Sequence, residues 1–219
     1  MKIHKLSIVI PAYNEGNTIH LILNKIKAVN LIENIQKELI IVNDCSSDHT
    51  EEAINAYKSE NPGLEISYFK HETNKGKGAA IHTGISKATG EYLIIQDADL
   101  EYDPEEYNDL LKPVSNGFAD VVYGSRFMGS NPHRILFFWH TIGNRWLTFA
   151  SNMFSNLNLT DMETCYKLFD TKLIQSIKLS EQRFGFEPEV TQKHRPSIRK
   201  LSFSFQGTRQ RTICFTYFI

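Results

Sequence analysis

The sequence predicts an α/β fold, a mostly parallel sheet with helices on both faces. Three observations carry this. Short apolar runs recur at residues 6–10, 39–42, 66–69, 92–95 and 120–123, each with the length and composition of a buried strand. Between them, segments with apolar residues at three- and four-residue spacing read as helices, and regular strand–helix alternation implies parallel strands joined by crossover helices. Polar clusters follow these runs at 11–15, Asp44, Lys75, 97–101 and Arg126. In such sheets ligands bind outside the carboxyl ends of the strands.

The first strand, LSIVI, is stopped by Pro11, which lacks an amide donor. Residues 12–16 form a loop, and a helix begins near Asn17 or Thr18 with Ile19, Ile22, Leu23, Ile26 and Val29 on one face. The second strand runs into Asn43-Asp44-Cys45-Ser46-Ser47-Asp48, with Asp48 read as the N-cap of a helix over about 50–57. After the third strand, Asn74-Lys75-Gly76-Lys77-Gly78 is a basic glycine loop opening a helix over about 79–88. A helix N-terminus suits anions, so this loop reads equally as a phosphate contact or a solvated turn. The fourth strand leads into Gln96-Asp97-Ala98-Asp99-Leu100-Glu101, and Pro104 opens a further helix. The fifth strand ends at Gly124-Ser125-Arg126. Residues 135–159 are rich in large apolar side chains. Ile142, Trp146, Phe149 and Met153 share one helical face, which packs on the core or lies in a membrane interface.

The acidic loop is the chemical focus. In an extended segment, residues two apart point the same way, so Asp97 and Asp99 face one point with Glu101 nearby. Converging carboxylates suit Mg²⁺ or Mn²⁺, which often share their shell with substrate phosphates. The plain alternative is a solvated acidic turn.

The 219 residues suit one large domain or a domain with an appendage, and a hydrophobic content of 41% is enough for a core. A net charge of −1 argues against nucleic-acid binding. Cys45, Cys165 and Cys214, an odd number without close pairing, fit a reducing, cytosolic setting. No run approaches the roughly 18 apolar residues of a membrane span, and no signal segment stands at the N-terminus, so the chain is expected to be soluble or peripheral.

Five segments in order now carry a resemblance: Pro11-Ala12-Tyr13-Asn14-Glu15, Asn43-Asp44 with Asp48, residues 74–78, Asp97-Ala98-Asp99 and Gly124-Ser125-Arg126-Phe127. Together they resemble the family 2 glycosyltransferases, and within them the dolichyl-phosphate mannose synthases and bacterial polyprenyl-phosphate relatives. Residues 160–167 and 184–187 resemble the same subgroup, so the likeness runs from about 6 to 189. It implies the Rossmann-like GT-A fold. It places Pro11, Tyr13, Glu15, Val42 and Asp44 around the base and ribose of a nucleotide sugar, with Lys77, Asp97, Ala98 and Asp99 completing the donor site. Tyr13 as a packed strand-end ring and Asp44 as a turn cap are the structural alternatives. Asp99, assisted by Asp97 or Glu101, would hold Mg²⁺ or Mn²⁺ against the leaving diphosphate; the family often has Gln where Glu101 stands.

The implied acceptor is a polyprenyl phosphate, already an anion, positioned by Arg126 and Arg134. Asp161 would be the base if the acceptor were a sugar hydroxyl; otherwise Asp161 and Glu163 position the metal, the donor sugar or Arg126, or cap a turn. The expectation is a peripheral enzyme at the cytosolic face of a membrane. A nicotinamide-dependent dehydrogenase and a non-catalytic nucleotide-binding module are the rivals from other classes. The dinucleotide fingerprint is weakened because Ile81 stands where its third glycine belongs. Residues 1–189 are read as the catalytic domain. Residues 190–219 contain no Asp or Glu and read as an atypical basic tail, cut short, diverted in reading frame, or suited to an anionic membrane.

Overall fold

A computed structural model describes residues 2–125, 138–155, 157–183, 185–194, 200–205 and 213–216. Eight described strands form one sheet: β1 (Lys5–Ala12), β2 (Gln36–Asn43), β3 (Glu65–Lys70), β4 (Tyr92–Ile95), β5 (Val121–Ser125), β6 (Lys167–Asp170), β7 (Lys200–Phe205) and β8 (Ile213–Thr216). The order across the sheet is β3-β2-β1-β4-β6-β5-β7-β8. The helices are α1 (Ile19–Ala28), α2 (Thr50–Glu60), α3 (Lys77–Lys87), α4 (Tyr107–Ser115), α5 (Phe138–Ser155), α6 (Thr171–Ser176) and α7 (Phe186–His194).

The first four strands are parallel, as the alternation requires. Ile8, Val9 and Ile10 of β1, and Leu39 to Val42 of β2, are fully buried, because helices cover both sheet faces and leave no solvated side for polar residues. Ile19, Ile22, Leu23 and Ile26 form the buried stripe of α1. At Gly84 of α3 a Cβ would lie 2.3 Å from Val9 Cγ1, so the close contact between α3 and β1 depends on glycine.

The sheet departs from the predicted pattern at β6. This strand inserts between β4 and β5 and runs antiparallel to both. Four residues with a lysine at their head carry too little periodicity to announce a strand. The insertion matters for function. Because β6 is antiparallel, the chain entering it meets the chain leaving β4, which brings residues 161–166 against the acidic loop. Beyond residue 189, β7 pairs in parallel with β5, and β8 pairs antiparallel with β7. The boundary drawn at 189 falls inside α7.

Smaller adjustments concern caps. Pro104 opens a short 3-10 turn (Pro104–Glu106) that runs directly into α4. Asp48 stands one residue before the N-cap His49 of α2, where it accepts from Thr50 N (3.0 Å) and Gly16 N (3.0 Å). It ties the loop after β1 to the start of α2.

Candidate active site

The acidic loop is a turn, not an extended segment. β4 ends at Ile95, and Leu100 takes a left-handed φ of 63°. Its shape is set by Gln96, which is fully buried. Gln96 Nε2 donates to the carbonyls of Asp97 (3.0 Å) and Tyr102 (3.3 Å), while its Oε1 accepts from Tyr107 (2.7 Å) and Tyr166 (2.9 Å). Burial pushes both phenols well above their ordinary pKa, so both remain donors at neutral pH. The backbone N–H of Cys165 donates to Tyr102 Oη (3.0 Å), stitching the loop before β6 onto the same frame. Lys167 is buried at the head of β6. Its Nζ donates to the Thr164 carbonyl and sits 5.2 Å from the Tyr123 ring, while burial pulls its pKa down.

The glycine loop is built from the opposite side. Both oxygens of the buried Asp44 carboxylate accept from the loop backbone, Oδ1 from Lys75 N (2.9 Å) and Oδ2 from Gly76 N (2.7 Å). His71 Nδ1 lies 2.6 Å from Asp44 Oδ1, and its Nε2 lies 2.9 Å from Thr83 Oγ1. A carboxylate only accepts, so His71 carries its proton on Nδ1. At the start of α3, Ala79 N donates to the Gln182 carbonyl (2.9 Å). A Cβ on Gly76 would meet Gln182 O at 2.7 Å, and one on Gly78 would meet Glu181 O at 2.6 Å. Gly76 also has a φ of 96°. The glycines therefore admit the strap formed by residues 181–183. Much of the donor capacity expected for an anion is already used by Asp44 and Gln182.

Two adjoining cavities open at this edge. One, of about 380 Å³, is lined by Pro11, Tyr13, Glu15, Asp44, Lys77, Asp97, Ala98 and Asp99 among others. The second, of about 270 Å³, continues past Lys77, Asp97 and Asp99 to Glu101, Glu163 and Glu187. Lys77 Nζ pairs with Asp97 Oδ1 at 2.7 Å and lies 4.0 Å from Cys165 Sγ. Burial works against the Lys77 ammonium, but Cys165 and Asp97 outweigh it and hold the lysine above its ordinary pKa. Burial also pushes the Cys165 thiol well up, so at neutral pH Asp97 is the effective counter-charge.

Most of the predicted donor residues thus meet around one cavity. Tyr13 is half exposed, so its ring is offered to the cavity and not packed away. Val42 is fully buried in the core and lines neither cavity. Asp161 is 1% exposed, accepts from Asn144 Nδ2 at 3.0 Å and lines neither cavity. Arg126 and Arg134 lie outside the described residues. Arg183 is not anticipated from the sequence, and Glu187, inside the 184–187 segment of the resemblance, is given no role there. Arg183 lines both cavities, and its only sequence-level signal is the glycine pair at 76 and 78, which calls for a close backbone neighbour.

The family model for glycosyl transferase family 2 matches residues 7–178. The chain belongs to that family. Among its curated relatives is a dolichol-phosphate mannosyltransferase of Pyrococcus furiosus, 30% identical over 124 residues, or 57% of this chain and 34% of the relative. A prophage bactoprenol glucosyl transferase homolog of Escherichia coli is 27% identical over 179 residues, 82% of this chain and 56% of the relative. This family 2 chain therefore spans between a third and just over half of the length of these two relatives. A solved structure of glucosyl-3-phosphoglycerate synthase from Mycobacterium tuberculosis, holding Mn²⁺, UDP-glucose and phosphoglyceric acid, superposes with a TM-score of 0.67 at 19% identity. That match covers 95% of this chain and 72% of the other, and it establishes the GT-A fold.

Proposed function

We propose that this chain is the sugar-transferring part of an inverting glycosyltransferase. It moves a hexose from a nucleotide sugar, GDP-mannose or UDP-glucose, to a polyprenyl phosphate at the cytosolic face of a membrane. The observation that carries the reading is the single cavity in which Tyr13, Glu15 and Asp44 adjoin Lys77, Asp97 and Asp99. One end offers the Tyr13 ring and the Glu15 carboxylate for a base and ribose, and the other offers charge for a diphosphate. The names of the relatives support the lipid phosphate as acceptor.

The donor set fits a divalent cation of the Mg²⁺ or Mn²⁺ kind. No group of three metal-ligating side chains is clustered among the described residues, and Asp97 is shared with Lys77. One or two carboxylates completed by substrate phosphates is the usual arrangement for these ions. Bound by Asp99, with Asp97 or Glu101 assisting, such an ion would neutralise the charge that grows on the β-phosphate. Lys77 adds a fixed positive charge beside the same group. An acceptor phosphate oxygen attacks the anomeric carbon, the bond from that carbon to the β-phosphate oxygen breaks, and nucleoside diphosphate leaves with its electron pair. The attacking phosphate is already ionised and needs no base. Arg126 and Arg134 are assigned to hold it.

The burial of Asp161 and its bond to Asn144 weigh against Asp161 as a base for a hydroxyl acceptor. The use of the glycine-loop amides by Asp44 weighs against a dinucleotide cradle.

Helix α5 supports a peripheral membrane position. Trp139, Trp146, Phe149, Met153 and Phe154 are each more than 60% exposed, and the helix contains no acidic residue. Its polar side faces inward. Asn152 brackets Leu159 through two 2.8 Å bonds, Thr148 accepts from Met162 N, and Ser151 and Ser155 are buried. The helix thus satisfies the backbone of the 159–162 loop with one face and presents aromatics with the other, as an interfacial helix does. No described helix is long and apolar enough to cross a membrane.

The test is transfer of labelled hexose from GDP-mannose and UDP-glucose to a short-chain polyprenyl phosphate. Lipid-linked product with one donor is expected. Binding of nucleoside diphosphate without turnover would favour the non-catalytic module.

A further inference from the structure

We propose that Arg183 is a phosphate-binding residue of this site, held in place by the strap of residues 180–183. The inference rests on the sugar-transfer reading above and adds a ligand to it. Arg183 lines both cavities, as do Lys77, Asp97 and Asp99. The walls around it are acidic: Glu15 and Asp44 on one side, Glu101, Glu163 and Glu187 on the other. A phosphate entering such a site needs cations, and Lys77 is already committed to Asp97 at 2.7 Å. Among the described residues no carboxylate pairs with Arg183. A guanidinium left without a counter-ion at the junction of two cavities suits phosphate oxygens, which it binds in pairs.

The strap is anchored on both sides. Glu189 accepts from Ser180 N (2.8 Å), Glu181 N (2.9 Å) and Lys193 Nζ (2.7 Å). Gln182 O accepts from Ala79 N (2.9 Å), and the missing Cβ of Gly76 leaves room for Arg183 Cγ, 2.8 Å from where that Cβ would stand. The main chain carrying Arg183 is therefore ordered before any ligand arrives, which reduces the entropy lost on binding. Donor diphosphate and acceptor phosphate present the same chemistry to this guanidinium, and the experiment separates them.

Wild-type chain, Arg183→Gln and Arg183→Lys are titrated with GDP and UDP in Mn²⁺, and with guanosine and uridine. The concentration of short-chain polyprenyl phosphate giving half-maximal rate is measured alongside. For a donor contact, Arg183→Gln weakens nucleoside diphosphate binding by about ten- to a hundredfold and leaves the nucleoside unchanged. For an acceptor contact, diphosphate affinity stays and the half-maximal acceptor concentration rises by the same factor. Arg183→Lys keeps part of the effect in either case. Unchanged values for both ligands in Arg183→Gln would overturn the proposal while leaving the sugar-transfer reading intact. Failure of the wild-type chain to bind any nucleoside diphosphate would overturn both.

Discussion

The glycine loop and the acidic loop look alike in the sequence: each is a short polar cluster between an apolar run and a helix. In the fold they differ in who satisfies their polar groups. Asp44 and Gln182 take up amides of the glycine loop, and the strap covers its glycines. In the acidic loop the backbone is satisfied through Gln96 and through Asp99 Oδ1, which accepts from Glu101 N (3.0 Å), while the rest of the exposed Asp99 carboxylate stays open to the cavity. The first loop is scaffold and the second is reagent. A polar cluster at a strand end therefore becomes a site only where its side chains, not its backbone, are left for a ligand.

Four variants test that contrast. The largest effect is expected from Asp99→Asn, which should lower turnover by about a hundredfold or more, since it removes charge aimed at the leaving group. Unfolding in urea should be nearly unchanged, because Asp99 is exposed. Gly78→Ala should lower stability as well as turnover, because the strap carries Arg183. Its Cβ would sit 2.6 Å from Glu181 O, so the strap must move, at a cost of about 1–3 kcal/mol in the same urea assay. Asp48→Ala should cost about 1 kcal/mol through the loss of its bonds from Thr50 N and Gly16 N, with donor affinity kept.

The smallest effect concerns Glu189. Partial burial opposes its ionisation, but bonds from Lys193, Ser180 and Glu181 hold its pKa down to about 2. A carboxylate with a depressed folded pKa stabilises the fold above its unfolded value, near 4.3, and loses that contribution as pH falls toward 2. Acid unfolding of Glu189→Gln should therefore show a shallower pH dependence between about 4.5 and 2 than the wild-type chain.

Much of this was legible in the sequence. Strands 1, 2, 4 and 5 stood out because burial on both faces demands continuous apolar runs, the partly buried third strand by its own short apolar run, and Ile142, Trp146, Phe149 and Met153 do share one face of α5. The direction of that face was not legible, since periodicity says which residues align and not what they meet. Strand β6 was hidden by its length and by Lys167. Asp44 was expected near a ligand and lines the cavity, but its service to the glycine loop depends on a pairing 31 residues away. Arg183 has no local motif at all; only the packing of the strap on Gly76 and Gly78 brings it to the site.

The acidic loop is proposed to bind a nucleoside diphosphate together with a divalent ion. Calorimetric titration with GDP, UDP and NAD, each with and without Mn²⁺, tests it on wild-type chain and on Asp99→Asn. GDP or UDP should bind with an affinity that rises when Mn²⁺ is added, and this gain should disappear in Asp99→Asn. Binding of NAD alone, or a Mn²⁺-dependent gain that survives in Asp99→Asn, would contradict it.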